Sequence, residues 1–169
     1  EMSVPNTTVH YARREGLNDI VLFDLLEPHA NAHVYVESVL KVLTRLGAKR
    51  YILLGSMYDV VPHTRPLLVS GYGMGEKALQ DIRRAGAIPI TYHGPSTYAN
   101  LITKKAAGAG MDACVFIVSL PQYVVMEEDY LGKARLMEVL NTLYDIPVDK
   151  GEFEKAFRQR QAVTERMKD

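Results

Sequence analysis

Hydrophobic and polar positions follow two different periods along this chain. Short apolar runs, such as 51–54 and 113–119, are typical of buried strands, and the second is apolar on both faces. Between the runs, apolar residues recur at helical spacing and the patterns end at glycines. The pattern predicts strands at 7–11, 19–25, 49–54, 67–70, 88–92 and 113–119. It predicts helices at 31–46, 75–85, 97–109 and 129–144, with a last helix over 149–169.

Strands that alternate with helices indicate a parallel or mixed sheet with helices on both faces. The chain shows no internal repeat, no low-complexity tract and no interior linker. We therefore predict a single α/β domain over residues 1–169, folded as a three-layer sandwich with a mostly parallel sheet.

Composition narrows the class of protein. Apolar residues make up 47% and charged residues 24%, as in an ordinary globular domain. Lys plus Arg (20) equals Asp plus Glu (20), so no net charge attracts nucleic acid or an anionic membrane. The opening residues lack the features of a signal peptide, no apolar run is long enough to span a bilayer, and the only cysteine is Cys114. These features predict a cytoplasmic protein.

Several loops would follow strand ends in such a sheet, namely 55–66, 70–73, 93–97 and 119–123. Since parallel strands point the same way, these loops are expected to meet at one edge and to form a ligand crevice. Glycines let the backbone approach a ligand, Ser96 or Thr97 can cap the next helix, and Arg65 offers positive charge to an anion. The candidate ligand-binding residues are Gly55, His63, Arg65, Gly94, Ser96, Asn100 and Tyr123. The alternative is that these loops are ordinary turns of the fold.

No strong catalytic motif is present. The segment 71–75 is rich in glycine but fits neither a phosphate-binding loop nor a dinucleotide fingerprint, and the serines lack a nucleophile elbow. His29 and His33 could share a helical face as metal ligands, although a solvent-facing or capping role is commoner. Cys114 lies in an apolar strand and is expected to be an inert thiol. We expect no metal, no cofactor and no catalytic set.

The last helix carries an apolar stripe that includes Phe153, Phe157, Val163 and Met167. Such a stripe either docks on its own domain or packs on another subunit. We take these four residues as candidate interface residues of a homo-oligomer.

A set of motifs, each weak alone, occurs in a fairly specific order along nearly the whole chain. They are Glu27-Pro28, Leu54-Gly55, the segment 61–66 (Val-Pro-His-Thr-Arg-Pro), the segment 94–96 with Asn100 and Leu101, Pro121 with Tyr123, and the segment 136–143 before Ile146. In this order the chain resembles the proteasome assembly chaperone family and its archaeal and bacterial relatives of mostly unassigned function.

The resemblance implies a nucleoside-phosphorylase-like fold, self-association and, for some members, binding to proteasome subunits rather than catalysis. Some family descriptions add an ATP-grasp label, which no nucleotide loop here supports. The chain departs from the family in lacking the opening strand and glycine-rich turn of relatives. It also ends at 167–169 without the hydrophobic-Tyr-any tail with which archaeal members dock on the proteasome.

Together, residues and resemblance predict a non-catalytic, self-associating protein with a protein client such as a proteasome subunit. The alternative is a small-molecule-binding protein or an enzyme, nucleoside-phosphorylase-like or ATP-grasp-associated, that uses the crevice at the strand ends.

Overall fold

The computed structural model describes residues 6–90 and 97–167. The strands are β1 (Thr8–Ala12), β2 (Ile20–Asp24), β3 (Arg50–Asp59), β4 (Val69–Met74), β5 (Ile88–Pro89) and β6 (Asp112–Pro121). The helices are α1 (Ala32–Arg45), α2 (Glu76–Arg84), α3 (Tyr98–Gly108), α4 (Tyr130–Tyr144) and α5 (Lys150–Arg166). Each predicted helix is present with its ends shifted by at most a few residues.

The main sheet has four strands in the order β3-β6-β4-β5. β3 runs parallel to β6 over its whole length, from Arg50 opposite Asp112 to Asp59 opposite Pro121. β4 and β5 are parallel to each other, whereas β4 is antiparallel to β6. The sheet is therefore mostly parallel, as predicted, but its two parallel pairs point in opposite directions.

Helices cover both faces of this sheet. On one face, α1 and α3 pack on a buried cluster that includes Val36, Tyr51 and Ile102. On the other face, a second cluster around Phe116 contains Ile82 of α2 and Leu143 of α4. α5 packs on the outside of α4. The three-layer arrangement arises because β6 is apolar on both faces and each face buries its own cluster.

The hairpin β1–β2 forms a separate two-stranded sheet. Its turn is fixed to the C-terminal end of α4, where the Arg14 guanidinium donates hydrogen bonds to the carbonyls of Tyr144 and Asp145, each at 2.9 Å. A cation at this position is favourable because the last carbonyls of a helix lack partners within the helix.

Three predicted loops lie partly or wholly in strands. β6 continues to Pro121, β3 continues to Asp59, and 70–73 lies inside β4. Glycines suggested turns there, but Gly71 instead permits close packing, since a Cβ at this position would lie 2.5 Å from the carbonyl oxygen of Val115. A glycine inside a strand often marks such a close approach.

Among the described residues, no helix has the length and apolar character needed to cross a membrane.

Candidate functional site

His63 and Tyr123 meet at the edge of the sheet where β3 and β6 end. The Tyr123 hydroxyl oxygen accepts the backbone N–H of His63 at 2.8 Å and lies 2.9 Å from the imidazole Nδ1 of the same residue. The two rings form an edge-to-face contact with centroids 5.8 Å apart. With its oxygen accepting from the backbone, the hydroxyl can donate its own proton to Nδ1 of a neutral imidazole. This pair joins the loop after β3 to the loop after β6.

Two further contacts hold the loop between β3 and β4 in place. Arg160 of α5 donates from Nη2 to the carbonyl of Thr64 at 2.5 Å. Arg135 of α4 donates from Nε to the carbonyl of Leu67 at 3.1 Å. The loop between β3 and β4 is therefore attached to the loop after β6, to α4 and to α5.

The loop between β6 and α4 is fixed by Gln159 of α5. Its Oε1 accepts the backbone N–H of Tyr130 at 2.9 Å, and its Nε2 donates to the carbonyl of Glu128 at 2.7 Å. Asp129 caps α4 by accepting the N–H of Gly132 at 2.7 Å. A single glutamine thus connects α5 to the start of α4.

Five exposed apolar side chains lie on these loops and on the adjoining end of β3. We call the group the edge surface; it consists of Met57, Tyr58, Val60, Tyr123 and Val125. Val60 is 83% exposed and Val125 is 77% exposed, although both belong to well-anchored loops. Exposed apolar groups that cluster in this way are typical of protein interaction sites. Because the loops are already held, binding a partner there costs little ordering entropy.

The predicted ligand-binding residues occupy two separate places. His63 and Tyr123 are in contact, and Arg65 is exposed on the same loop, where its backbone N–H donates to the carbonyl of Pro62 at 3.4 Å. Gly55 lies inside β3, where a Cβ would be 2.9 Å from the Ile117 side chain.

Asn100 lies instead on α3, and its Oδ1 accepts the hydroxyl of Tyr72 of β4 at 3.4 Å. The separation follows from the direction of β4 and β5, which run against β6 and therefore do not end at the edge where β3 and β6 end. Gly94 and Ser96 are outside the described residues. Thr97, the predicted cap, accepts the N–H of Asn100 at 3.3 Å.

The stripe on α5 is divided between two environments. Val163 is 4% exposed and packs within its own domain, so it is not available to a partner in this conformation. Phe157 is 62% exposed, and Phe153 and Met167 are also exposed. Phe157 precedes Arg160 by one turn, so it lies on α5 next to the side chain that reaches the carbonyl of Thr64.

A buried polar cluster lies at the other end of the sheet. The Asp81 carboxylate, almost fully buried, accepts hydrogen bonds from Arg50 Nη1 at 2.6 Å and from the Tyr144 hydroxyl at 2.9 Å. Arg84 adds an ion pair at 3.5 Å. Burial, reinforced by the charge of Asp81, raises the pKa of the Cys114 thiol from 9.0 to about 11. A thiol held neutral at pH 7 is a poor nucleophile, so the cluster is suited to joining β3, α2 and α4 rather than to chemistry.

Metal-ligating side chains are scattered across the described ranges. Residues 6–90 and 97–167 contain no group of three or more His, Cys, Asp or Glu side chains placed to hold an ion. His29 and His33, the pair considered from sequence, are both exposed near the start of α1.

Sequence reasoning missed most of the edge surface. Met57 and Tyr58 belong to the part of β3 that was predicted as a loop, and Val60 and Val125 were assigned no role. The sequence feature that could have identified this surface is a pair of valine doublets, 60–61 and 124–125, close to strand ends. Apolar doublets in loops that are expected to be exposed are typical of interaction surfaces.

The comparisons with known proteins agree with this architecture. The proteasome-assembly chaperone homologue of Mycobacterium tuberculosis matches with a TM-score of 0.80 and 26% identity, over 94% of this chain and 67% of that chain. A PAC2 family protein from Streptomyces avermitilis gives a TM-score of 0.80 and 23% identity over the same shares. PbaA of Pyrococcus furiosus, an archaeal homolog of proteasome-assembly chaperone, gives 0.69 and 18% identity, over 95% of this chain and 67% of that chain.

This chain thus spans about two thirds of the length of these relatives. Among curated proteins there is no significant match. The model of the PAC2 family matches residues 1–168. The chain therefore belongs to the PAC2 family.

Proposed function

We propose that this protein is a non-catalytic, self-associating assembly factor that binds a protein client such as a proteasome subunit. The observation that carries the proposal is the edge surface, an exposed apolar group on loops that are held by His63–Tyr123 and by Arg160–Thr64. A surface of this kind suits a protein partner, which can cover apolar side chains over a wide area.

Relatives support the same role. The Mycobacterium tuberculosis homologue, at 26% identity, is described as a proteasome-assembly chaperone homologue. Membership of the PAC2 family extends over nearly the whole chain. We also propose that the protein is cytoplasmic and that its α/β fold is of the nucleoside-phosphorylase-like kind.

The polar groups of the domain favour binding over catalysis. Asp81, Tyr144 and Arg50 are engaged with one another, and Cys114 is buried beside them. The two candidate ligand-binding places, around His63 and around Asn100, are held by different elements. The rival function, turnover of a small molecule, would require one of these places to act alone.

The test is co-elution of the purified protein with purified proteasome α-type and β-type subunits. We expect a complex with at least one subunit, and we expect the double change Val60→Asp, Val125→Asp to abolish it. Val34→Asp is the matched control, because Val34 is also exposed but lies on α1, away from the edge surface. Failure of both subunits to bind would refute the client assignment. ATP hydrolysis or nucleoside cleavage that disappears in His63→Ala or Arg65→Ala would establish the rival.

A further inference from the structure

Two adjacent residues of α5 hold the two loops that carry residues of the edge surface. Arg160 donates from Nη2 to the carbonyl of Thr64, in the loop between β3 and β4. Gln159 binds the backbone of Glu128 and Tyr130, where the loop between β6 and α4 meets its helix. One short stretch of α5 is therefore attached to both loops.

The geometry of an α-helix explains how neighbouring residues reach different loops. Ala156 and Val163 are buried residues of α5, and Gln159 and Arg160 lie between them along the same side of the helix. Because successive residues project about 100° apart, these two side chains point to opposite sides of the line from Ala156 to Val163. α5 consequently lies between the two loops and contacts each one through its backbone.

The contacts of Gln159 and Arg160 are a large part of what attaches α5 to the domain. Within the described part of the chain, two of the 17 residues of α5 are buried, against five of the 15 residues of α4. Lys133 of α4 pairs with Glu152 at 2.5 Å, but an ion pair with an exposed lysine contributes little stability. Losing either Gln159 or Arg160 should therefore weaken the docking of the whole helix.

A second connection joins the same loops without α5. The Tyr123 hydroxyl accepts the backbone N–H of His63, so it links the loop after β6 directly to the loop after β3. The two connections act in parallel. One fixes the loops to each other, and the other fixes both loops to a helix.

We propose that Gln159 and Arg160 are positioning residues of the edge surface, through which α5 couples the two loops into one cooperative unit. When α5 is docked, both loops are held in the arrangement that presents Val60 and Val125; when α5 is displaced, both loops are released together. This rests on the proposed function, because the client is the protein that covers the edge surface. Self-association through the exposed part of α5 and client binding at the edge surface thus influence one another, since coupling between two sites is reciprocal.

Hydrogen exchange of the free protein tests the coupling without a client. We expect Arg160→Ala to speed exchange of the Tyr130 and Leu131 amides about threefold to tenfold, although Arg160 contacts the other loop. A purely local role of Arg160 would speed exchange only between β3 and β4. Arg158→Ala is the matched control, because Arg158 is exposed on the same helix and pairs there with Glu154.

The Tyr123→Phe background separates the two connections. It removes the hydroxyl that binds His63, so an effect of Arg160→Ala on the Tyr130 amide that persists in this background travels through α5. Arg160→Lys keeps a donor for the same carbonyl and should restore most of the protection. Thermal unfolding checks that the variants are folded, and Arg160→Met repeats the test if the alanine variant does not fold.

Three results of the exchange experiment would overturn the proposal. The first is unchanged exchange at Tyr130 and Leu131 in Arg160→Ala. The second is an acceleration that disappears in the Tyr123→Phe background, which would assign the coupling to the contact with His63. The third is an acceleration of the same size in Arg158→Ala, which would make it a general effect of changing α5.

The proteasome subunit that co-elutes with the protein gives the functional readout. Its affinity should fall at least about threefold in Arg160→Ala, and the bound subunit should slow amide exchange across 156–163. Subunit binding that Arg160→Ala leaves unchanged would keep the proposed function and remove the positioning role. If no subunit binds, the client assignment is refuted, while exchange in the free protein still decides whether α5 couples the loops.

Discussion

The hydroxyl of Tyr123 binds both the backbone N–H and the imidazole Nδ1 of His63, at 2.8 and 2.9 Å. One side chain thereby joins two loops that are 60 residues apart in sequence. These two loops carry residues of the edge surface, so the arrangement of the edge surface depends on the Tyr123 hydroxyl.

We expect Tyr123→Phe to loosen the loop after β3 without unfolding the domain. Losing these hydrogen bonds at a partly exposed site should lower the free energy of unfolding by about 1 kcal/mol. The amide of His63 should exchange markedly faster, as measured by hydrogen exchange. Tyr58→Phe is the control, because Tyr58 is an exposed tyrosine at the same edge. Equal exchange of the His63 amide in both variants would contradict the role of the Tyr123 hydroxyl.

Asp81→Asn is expected to destabilise the domain strongly. The change removes the negative charge that Arg50 and Arg84 approach and leaves a buried amide in its place. Breaking a buried pair by removing one partner costs about 3–5 kcal/mol, and the partial exposure of Arg50 reduces this to roughly 2–3 kcal/mol. Chemical denaturation measures the loss. Glu154→Gln, at an exposed pair with Arg158, should change stability by less than about 0.5 kcal/mol.

Two glycine-to-alanine changes should have opposite signs. Gly71→Ala would place a Cβ 2.5 Å from the Val115 carbonyl oxygen and should destabilise by about 1–3 kcal/mol or more. Gly108→Ala, at the end of α3, meets open space and should stabilise by about 0.5–1 kcal/mol. Thermal unfolding compares the two. Similar effects of both changes would show that the strands near Gly71 are not closely packed.

Stability is expected to fall at alkaline pH because of Cys114. Its pKa is about 11 in the folded protein against 9.0 for an unperturbed thiol, so between these values the unfolded chain releases a proton that the folded chain keeps. The contribution of the neutral Cys114 thiol to the free energy of unfolding is complete below pH 9. Above pH 9 this contribution declines by about 1 kcal/mol per pH unit. Burial also raises the pKa of Tyr51 to about 12, which extends the decline to higher pH.

Denaturation curves at several pH values measure this slope. Cys114→Ala should be less stable at pH 7, because it leaves a small cavity, yet it should lose less stability between pH 8 and pH 10. An unchanged slope in this variant would mean that other groups cause the alkaline loss.

Self-association is predicted to involve the exposed part of α5. Light scattering should show an oligomer for the unmodified protein and a smaller species for the double change Phe153→Glu, Phe157→Glu. Each large apolar side chain that becomes fully buried contributes roughly 1.5–3 kcal/mol, so two charges at this place should dissociate the subunits. A monomer in both cases refutes self-association. An oligomer that is unaffected by the double change would place the interface elsewhere.

The sequence predicted the elements better than it predicted their directions. Apolar periodicity located the helices and the central strand β6, because burial on one or two faces leaves a regular pattern. Nothing local indicates that β4 runs against β6, since strand direction depends on how distant segments cross over. The predicted crevice therefore divides into the His63–Tyr123 pair and the Asn100–Tyr72 pair.

The sequence also could not show which residues of the α5 stripe are buried in the domain. Val163 and Phe157 follow the same helical stripe, yet Val163 packs inside the domain and Phe157 faces out. The apolar stripe of α5 is wider than the surface that contacts α4. The sequence therefore does not show which residues of the stripe are buried against the domain.

The pairing of β6 with both β3 and β4 sets an order of events during synthesis. β3 ends at Asp59, but its partner strand ends at Pro121, so a nascent chain that has exposed only β3 cannot yet form the β3–β6 pairing. Pairing over such a sequence separation is slow, since a long loop must close before the contacts form. Until β6 leaves the ribosome, the edges of β3 and β4 that β6 covers stay unpaired, and folding of the sheet waits for residues 112–121.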